Sequence, residues 1–152
     1  MIEDYLKNHS FFHNWKAEHI QSILDSCNLE TYPRNYRLIE EGFWAEKFFI
    51  IVSGLVEIKS MDISLQFLGP GEIVGWSWLV PPYTWSFSAQ TIKETITISF
   101  NTSKVQQIMD QNKEIETLIY KNMFFVVANR LKIARQKIVE MHVSKSSNRK
   151  IK

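Results

Sequence analysis

One cysteine, Cys27, in 152 residues excludes an internal disulfide and any cysteine-based zinc cluster built by a single chain. The four histidines, His9, His13, His19 and His142, all lie outside the stretch from Leu29 to Phe100. A metal-dependent β-barrel enzyme needs two or three histidines and a carboxylate inside its strands, so that chemistry is absent. The chain is expected to be a non-enzyme, with no catalytic residue, no metal and no cofactor. Arginine is missing between Arg37 and Arg130. No apolar run approaches the ~20 residues of a membrane span, and Glu3 and Asp4 stand where a secretory signal would be basic. A soluble cytoplasmic protein without a membrane partner is expected, in keeping with a lone thiol.

What is present suffices for one core. At 45% hydrophobic and 22% charged residues, a chain of this length buries roughly two-thirds of its unfolded surface. The net charge of +2 hides an asymmetry. From Asn129 onward eight Lys or Arg face Glu140 alone, giving +7, and residues 1–128 carry −5. The last residues, Lys145 to Lys152, are polar and free of aromatics, so residues 143–152 are expected to be a solvated, disordered tail with at most weak, non-specific nucleic-acid contact.

Residues 1–14 show no clear pattern. Asn14 can cap a helix in which Ile20, Ile23, Leu24 and Cys27 share a face, ending near Asn28. The period then becomes that of strands. Phe48 to Val52 is an apolar run suited to burial on both faces. Val56 and Ile58 alternate with Glu57 and Lys59, Met61 and Asp62 form a tight connection, and Ile63, Leu65 and Phe67 alternate again. Phe87, Ala89 and Thr91, then Ile96, Ile98 and Phe100, repeat the pattern. Many short strands with a helix before and helices after predict a mainly β fold with flanking α, a small antiparallel barrel or jelly roll. Asn101, Thr102 and Ser103 supply caps for a short helix through Met109, and after Asn112 no Gly or Pro interrupts the chain. Tyr120, Phe124, Val127, Leu131, Ala134, Ile138 and Met141 are spaced alternately four and three apart. That heptad seam predicts a dimer interface within a helix over about 112–142, and the domain is expected to span 1–142.

The stretch Leu68–Ala89 holds three of the five glycines, three of the four prolines and three of the five tryptophans. Glycine permits positive φ and close backbone approach, and tandem proline stiffens a loop. An aromatic-lined pocket is predicted here, with Gly75, Trp76, Ser77, Trp78, Tyr83, Thr84 and Trp85 as ligand-binding candidates. Trp76 and Trp78, two apart, are poorly aligned on a helical turn, so at least one should pack into the core. Ser77 between them is the better pocket residue.

Pro33, Glu41-Gly42, the strand closing in Ser53-Gly54, and the turn Leu68-Gly69-Pro70-Gly71-Glu72-Ile73-Val74-Gly75 resemble the cyclic nucleotide-binding domain of the catabolite-activator and Fnr type of regulator, over about residues 10–141. The resemblance implies a double-stranded β-helix barrel with an N-terminal helix and a long C-terminal helix, and a regulatory, signal-transducing role akin to that of transcription regulators. Gly75-Trp76-Ser77-Trp78-Leu79 with Pro81-Pro82-Tyr83 looks like a variant branch of that family. The family places a ribose-holding Glu where Trp76 stands, and a phosphate-holding Arg followed by Ser or Thr and Ala where Tyr83, Thr84 and Trp85 stand. The variant branch carries an Arg at Thr84. Indole only donates, and loss of one charge-assisted hydrogen bond weakens binding about ten- to a hundred-fold. These departures argue against cAMP and cGMP. The expected function is a small-molecule-sensing regulatory domain with a non-standard pocket, signalling through a homodimer of C-terminal helices. The alternative is a ligand-free protein–protein interaction module whose pocket is filled by its own aromatic side chains. Nucleic acid is not an expected partner without a helix-turn-helix domain.

Overall fold

Short strands that are apolar on one or both faces can bury those faces only against each other, and here they do so as two sheets. The computed structural model describes residues 1–151, with side chains up to Arg149. One sheet has the order β1 (Cys27–Tyr32), β8 (Thr95–Asn101), β3 (Lys47–Ser53), β6 (Ile73–Val74). The other has the order β2 (Arg37–Ile39), β7 (Ser88–Thr91), β4 (Val56–Ser60), β5 (Ile63–Leu68). Every pairing is antiparallel, and the chain crosses between the sheets in jelly-roll fashion.

The apolar run of β3 lies between β8 and β6, with Phe48 to Ile51 buried as its composition predicts. On β8 the polar Thr95, Thr97 and Ser99 are buried as well. Thr97 and Ser99 satisfy one another, their hydroxyl oxygens 2.8 Å apart. Met61 and Asp62 turn the chain from β4 to β5 with φ of 51° and 63°, the left-handed geometry of a two-residue hairpin. On β5 the outcome differs from simple alternation, because Ile63, Leu65 and Phe67 are exposed. β5 is a sheet edge whose register with β4 shifts at Ile58–Lys59, so these side chains lean away from the barrel interior.

Before the barrel come α1 (Ile2–Asn8), a 3₁₀ turn (Ser10–Phe12) and α2 (Ala17–Leu24). The first 14 residues are structural after all, with Leu6, Phe11 and Phe12 in the core and Phe12 stacked 6.4 Å from Phe100. Their apolar positions sit on two short, broken helices and show no sustained period. The expected cap of α2 is also displaced. The helix starts after Lys16, Asn14 accepts instead from Asn122 Nδ2 at 2.9 Å, and Cys27 already opens β1.

After the barrel, Asn101 Oδ1 accepts from the Lys104 N–H at 3.0 Å and starts α3 (Thr102–Gln111). Asn112 Oδ1 accepts from the N–H groups of Glu114 and Ile115 and starts α4 (Lys113–Ile151). Ile115, Ile119 and Met123 anchor the first turns of α4 in the core. Residues 143–151, expected to be a disordered tail, continue the helix. No Gly or Pro interrupts it, and local propensity carries an exposed segment onward.

Candidate functional site

The loop between β6 and β7 is fixed from both ends. Gly75 has φ 101°, and a Cβ there would fall 2.6 Å from the Trp85 ring, so this position accepts only glycine. Beyond it Trp76 leads into a 3₁₀ turn over Ser77–Leu79, and Tyr83 takes a left-handed conformation at φ 64°. The returning strand is laced to residues 42–45. Gly42 N–H donates to Trp85 O at 2.8 Å, Trp85 N–H to Phe43 O at 2.8 Å, and Ala45 N–H to Tyr83 O at 3.0 Å.

That lacing separates the predicted site residues. Trp78 is a core residue, stacked 4.8 Å from Phe48, which in turn stacks 4.5 Å from Phe100. Trp85 is buried beneath Gly75. Ser77, the preferred pocket residue from sequence, is only 4% exposed and its hydroxyl lies 3.2 Å from that of Ser86. Its place in the 3₁₀ turn aims it inward. Thr84 bridges to Trp44, and Tyr83 faces a different hollow together with Trp78 and Gln106.

Gly75 and Trp76 alone among the seven border a cavity of about 320 Å³ between barrel and α4. Leu68, Ile73, Trp76 and Phe87 form its barrel side, and Val127, Leu131 and Ala134 its α4 side. Its polar side chains are Gln66 and Arg130. Gln66 Nε2 donates to the Arg130 carbonyl at 3.2 Å. The Arg130 guanidinium is largely buried. Nη2 donates to the Ile73 carbonyl at 2.5 Å, and Nη1 stands 3.6 Å from Glu72 Oε1. Among the described residues Nη1 has no hydrogen-bond partner. Burial pushes the guanidinium pKa down, and the Glu72 carboxylate partly restores it. On the far side of Arg130 and Ile73 lies a second cavity of about 380 Å³, bordered by His9, Glu72, Asn122 and Phe125.

The sequence reading passed over Phe87 and Arg130. The signal for Arg130 was the arginine gap itself, since the first cation of that type after Arg37 sits inside the apolar seam of α4. Along the seam, Tyr120, Phe124, Leu131, Ile138 and Met141 are between 50% and 70% exposed. Val127 and Ala134, between them, are half-buried against the cavity.

A family model described as cyclic nucleotide-binding domain matches residues 29–112. No curated protein sequence matches the chain. Among solved structures, a protein of Geobacter metallireducens GS-15 put forward as a cyclic nucleotide-binding protein superposes with a TM-score of 0.81 at 21% identity, over 86% of this chain and 98% of that one. A cyclic nucleotide-binding domain from Methylobacillus flagellatus superposes with a TM-score of 0.77 at 16% identity, over 92% and 82%. The catabolite activator protein of Thermus thermophilus gives 0.66 at 20% identity, over 87% of this chain and 62% of that one. At such identities these likenesses establish the shared fold.

Proposed function

Because this chain belongs to the cyclic nucleotide-binding domain family, whose model covers residues 29–112, we propose that it is a small-molecule-sensing regulatory domain that dimerises through α4. Its ligand occupies the cavity beside Gly75 and Trp76. The observation that carries this reading is the double use of one helix face: Val127, Leu131 and Ala134 belong to the heptad seam and also border the cavity. A ligand in the cavity touches the residues that a second α4 would pack on, so its binding energy differs between two helix pitches. The exposed seam supports a second copy as its cover, since single soluble chains rarely leave a contiguous apolar stripe in water. Exposed Leu65 of β5 extends that stripe across the cavity mouth.

The alternative, an interaction module with its pocket filled by its own rings, draws on the burial of Trp78 and Trp85. Those two rings fill the barrel, however, while the space beside Trp76 and Phe87 stays open.

Sedimentation of the purified chain is expected to give a dimer, and Phe124→Glu combined with Ile138→Glu a monomer with unchanged far-UV dichroism. In thermal-shift titrations against cAMP, cGMP and a panel of small anionic and aromatic metabolites, at least one compound is expected to raise Tm with concentration. Ala134→Trp, which fills the cavity, should abolish that shift. A wild-type monomer would remove the dimer from the reading. A shift that survives Ala134→Trp would move the ligand elsewhere, and no shift across the panel would favour the interaction module.

A further inference from the structure

The walls of the cavity restrict what can enter it. A nucleotide brings ribose hydroxyls, base nitrogens and a phosphate, and each must exchange its water for a protein partner or incur a desolvation penalty. The barrel side offers Leu68, Ile73, Trp76 and Phe87, and its polar side-chain groups are the indole donor of Trp76 and the amide of Gln66, whose Nε2 is already given to the Arg130 carbonyl. Ser77 and Tyr83, which could have supplied hydroxyls, are turned to other neighbours, and Thr84 does not border the cavity. An uncharged apolar guest would suit those walls but would leave the other feature of the site unanswered.

That feature is Arg130. Its Nη2 is engaged by the Ile73 carbonyl, while Nη1 is buried without a hydrogen-bond partner among the described residues, and its nearest carboxylate, Glu72, is beyond hydrogen-bond length at 3.6 Å. The other oxygen of Glu72, Oε2, accepts from the Gly69 N–H at 2.6 Å, which keeps that carboxylate on the turn. A buried guanidinium with an unused donor edge is a half-made anion site, and arginine's planar fork suits a carboxylate. An amine would be repelled by it.

From these two observations we propose that the ligand is a small monoanion with an apolar body, a medium-chain or aromatic carboxylate, whose carboxylate pairs with Arg130 and whose body lies against Trp76, Phe87 and Leu131. This rests on the reading of the cavity as the ligand site. Nη1 is closed to water, so the guanidinium turns toward the cavity as the carboxylate arrives and loosens its hold on Ile73 and Glu72. The charge thereby moves from the β5–β6 turn to the ligand, and both ends of that exchange sit on or against α4. A pocket volume of about 320 Å³ is at the small end of the ~300–1,000 Å³ typical of ligand pockets, which fits a compact acid better than a nucleotide.

The test is Trp fluorescence and calorimetric titration of the full chain with octanoate, octan-1-ol and cAMP, on wild type, Arg130→Gln, Arg130→Lys and Ala134→Trp. Octanoate is expected to bind wild type more tightly than octan-1-ol by about ten- to a hundred-fold. Arg130→Gln should remove that advantage while leaving octan-1-ol binding unchanged, and Arg130→Lys should keep part of it. Retention of octan-1-ol binding by Arg130→Gln also shows that this variant is folded; if it is not, the Lys variant carries the comparison. Equal binding of acid and alcohol, both blocked by Ala134→Trp, would overturn the anion proposal and leave the cavity reading standing. Octanoate binding that Ala134→Trp leaves intact, or none at all, would overturn the proposal as well. Strong cAMP binding blocked by Ala134→Trp would replace the carboxylate with a nucleotide at the same cavity.

Discussion

Trp76 and Trp78 differ by two positions and by almost everything that matters energetically. Trp78 sits in a three-ring stack with Phe48 and Phe100 at the centre of the barrel, whereas Trp76 is half-buried at the cavity wall. Trp78→Ala is therefore expected to cost about 3–5 kcal/mol in urea denaturation, the usual loss for an emptied aromatic site in a core. Trp76→Ala should cost clearly less, yet weaken octanoate binding, because in the proposed site its ring lies against the ligand. Equal destabilisation by the two would mean that Trp76 is also a packing residue and that the cavity wall lies elsewhere. The divergence of the two rings follows from the tight turn between them, because a strand would put neighbours two apart on one face whereas a helical turn rotates them well apart. Which one turned inward depended on the 3₁₀ turn and on the Phe48 and Phe100 rings, brought in from strands distant in the chain.

At the scale of elements, periodicity was readable wherever an element's faces are sorted by the chain itself. β3 and β4, with their buried run and alternation, are of this kind. It was not readable where a neighbour does the sorting. β5 alternates in sequence but carries Ile63, Leu65 and Phe67 on its outer face while Leu68 is the buried one, a choice made by its pairing with β4 and not by its own pattern. Arg130 reaches Ile73 and Glu72 across more than fifty residues of chain, a contact that no local spacing encodes. The far end of α4 is the opposite case, a helix with no sorted face. Residues 143–149 are all exposed, and helix there rests on propensity alone, which is marginal in water over short lengths. Removing residues 143–152 should leave Tm unchanged and reduce helical dichroism at most slightly. A large fall in Tm would show that the last turns pack on a partner copy and that the dimer seam extends beyond Met141.

For the molecule as a whole, the joint between the N-terminal helices and the barrel is β1, an edge strand paired only with β8. A titratable side chain stands at each of its ends. Burial, with Asp25 nearby adding to it, pushes the Cys27 thiol up from an ordinary 9.0 to about 11, and the thiol also donates to the Leu24 carbonyl at 3.3 Å. Burial raises Tyr32 from 10.0 to about 12, with a Ser99 hydrogen bond opposing the shift and Glu30 reinforcing it. Both groups keep their protons in the folded state at pH values where the unfolded chain has released them. The unfolded state then binds fewer protons, and stability falls as pH rises. The contribution of Cys27 is intact below pH 9 and is lost progressively up to about 11, and that of Tyr32 follows from pH 10 to about 12. Thermal melts between about pH 8 and 11 are expected to show wild type declining from pH 9, Cys27→Ser declining only from about pH 10, and Tyr32→Phe matching wild type until then. A Cys27→Ser variant that declines as early and as steeply as wild type would assign the alkaline loss to groups other than those on β1. It would also mean that the join between helices and barrel admits water at Cys27.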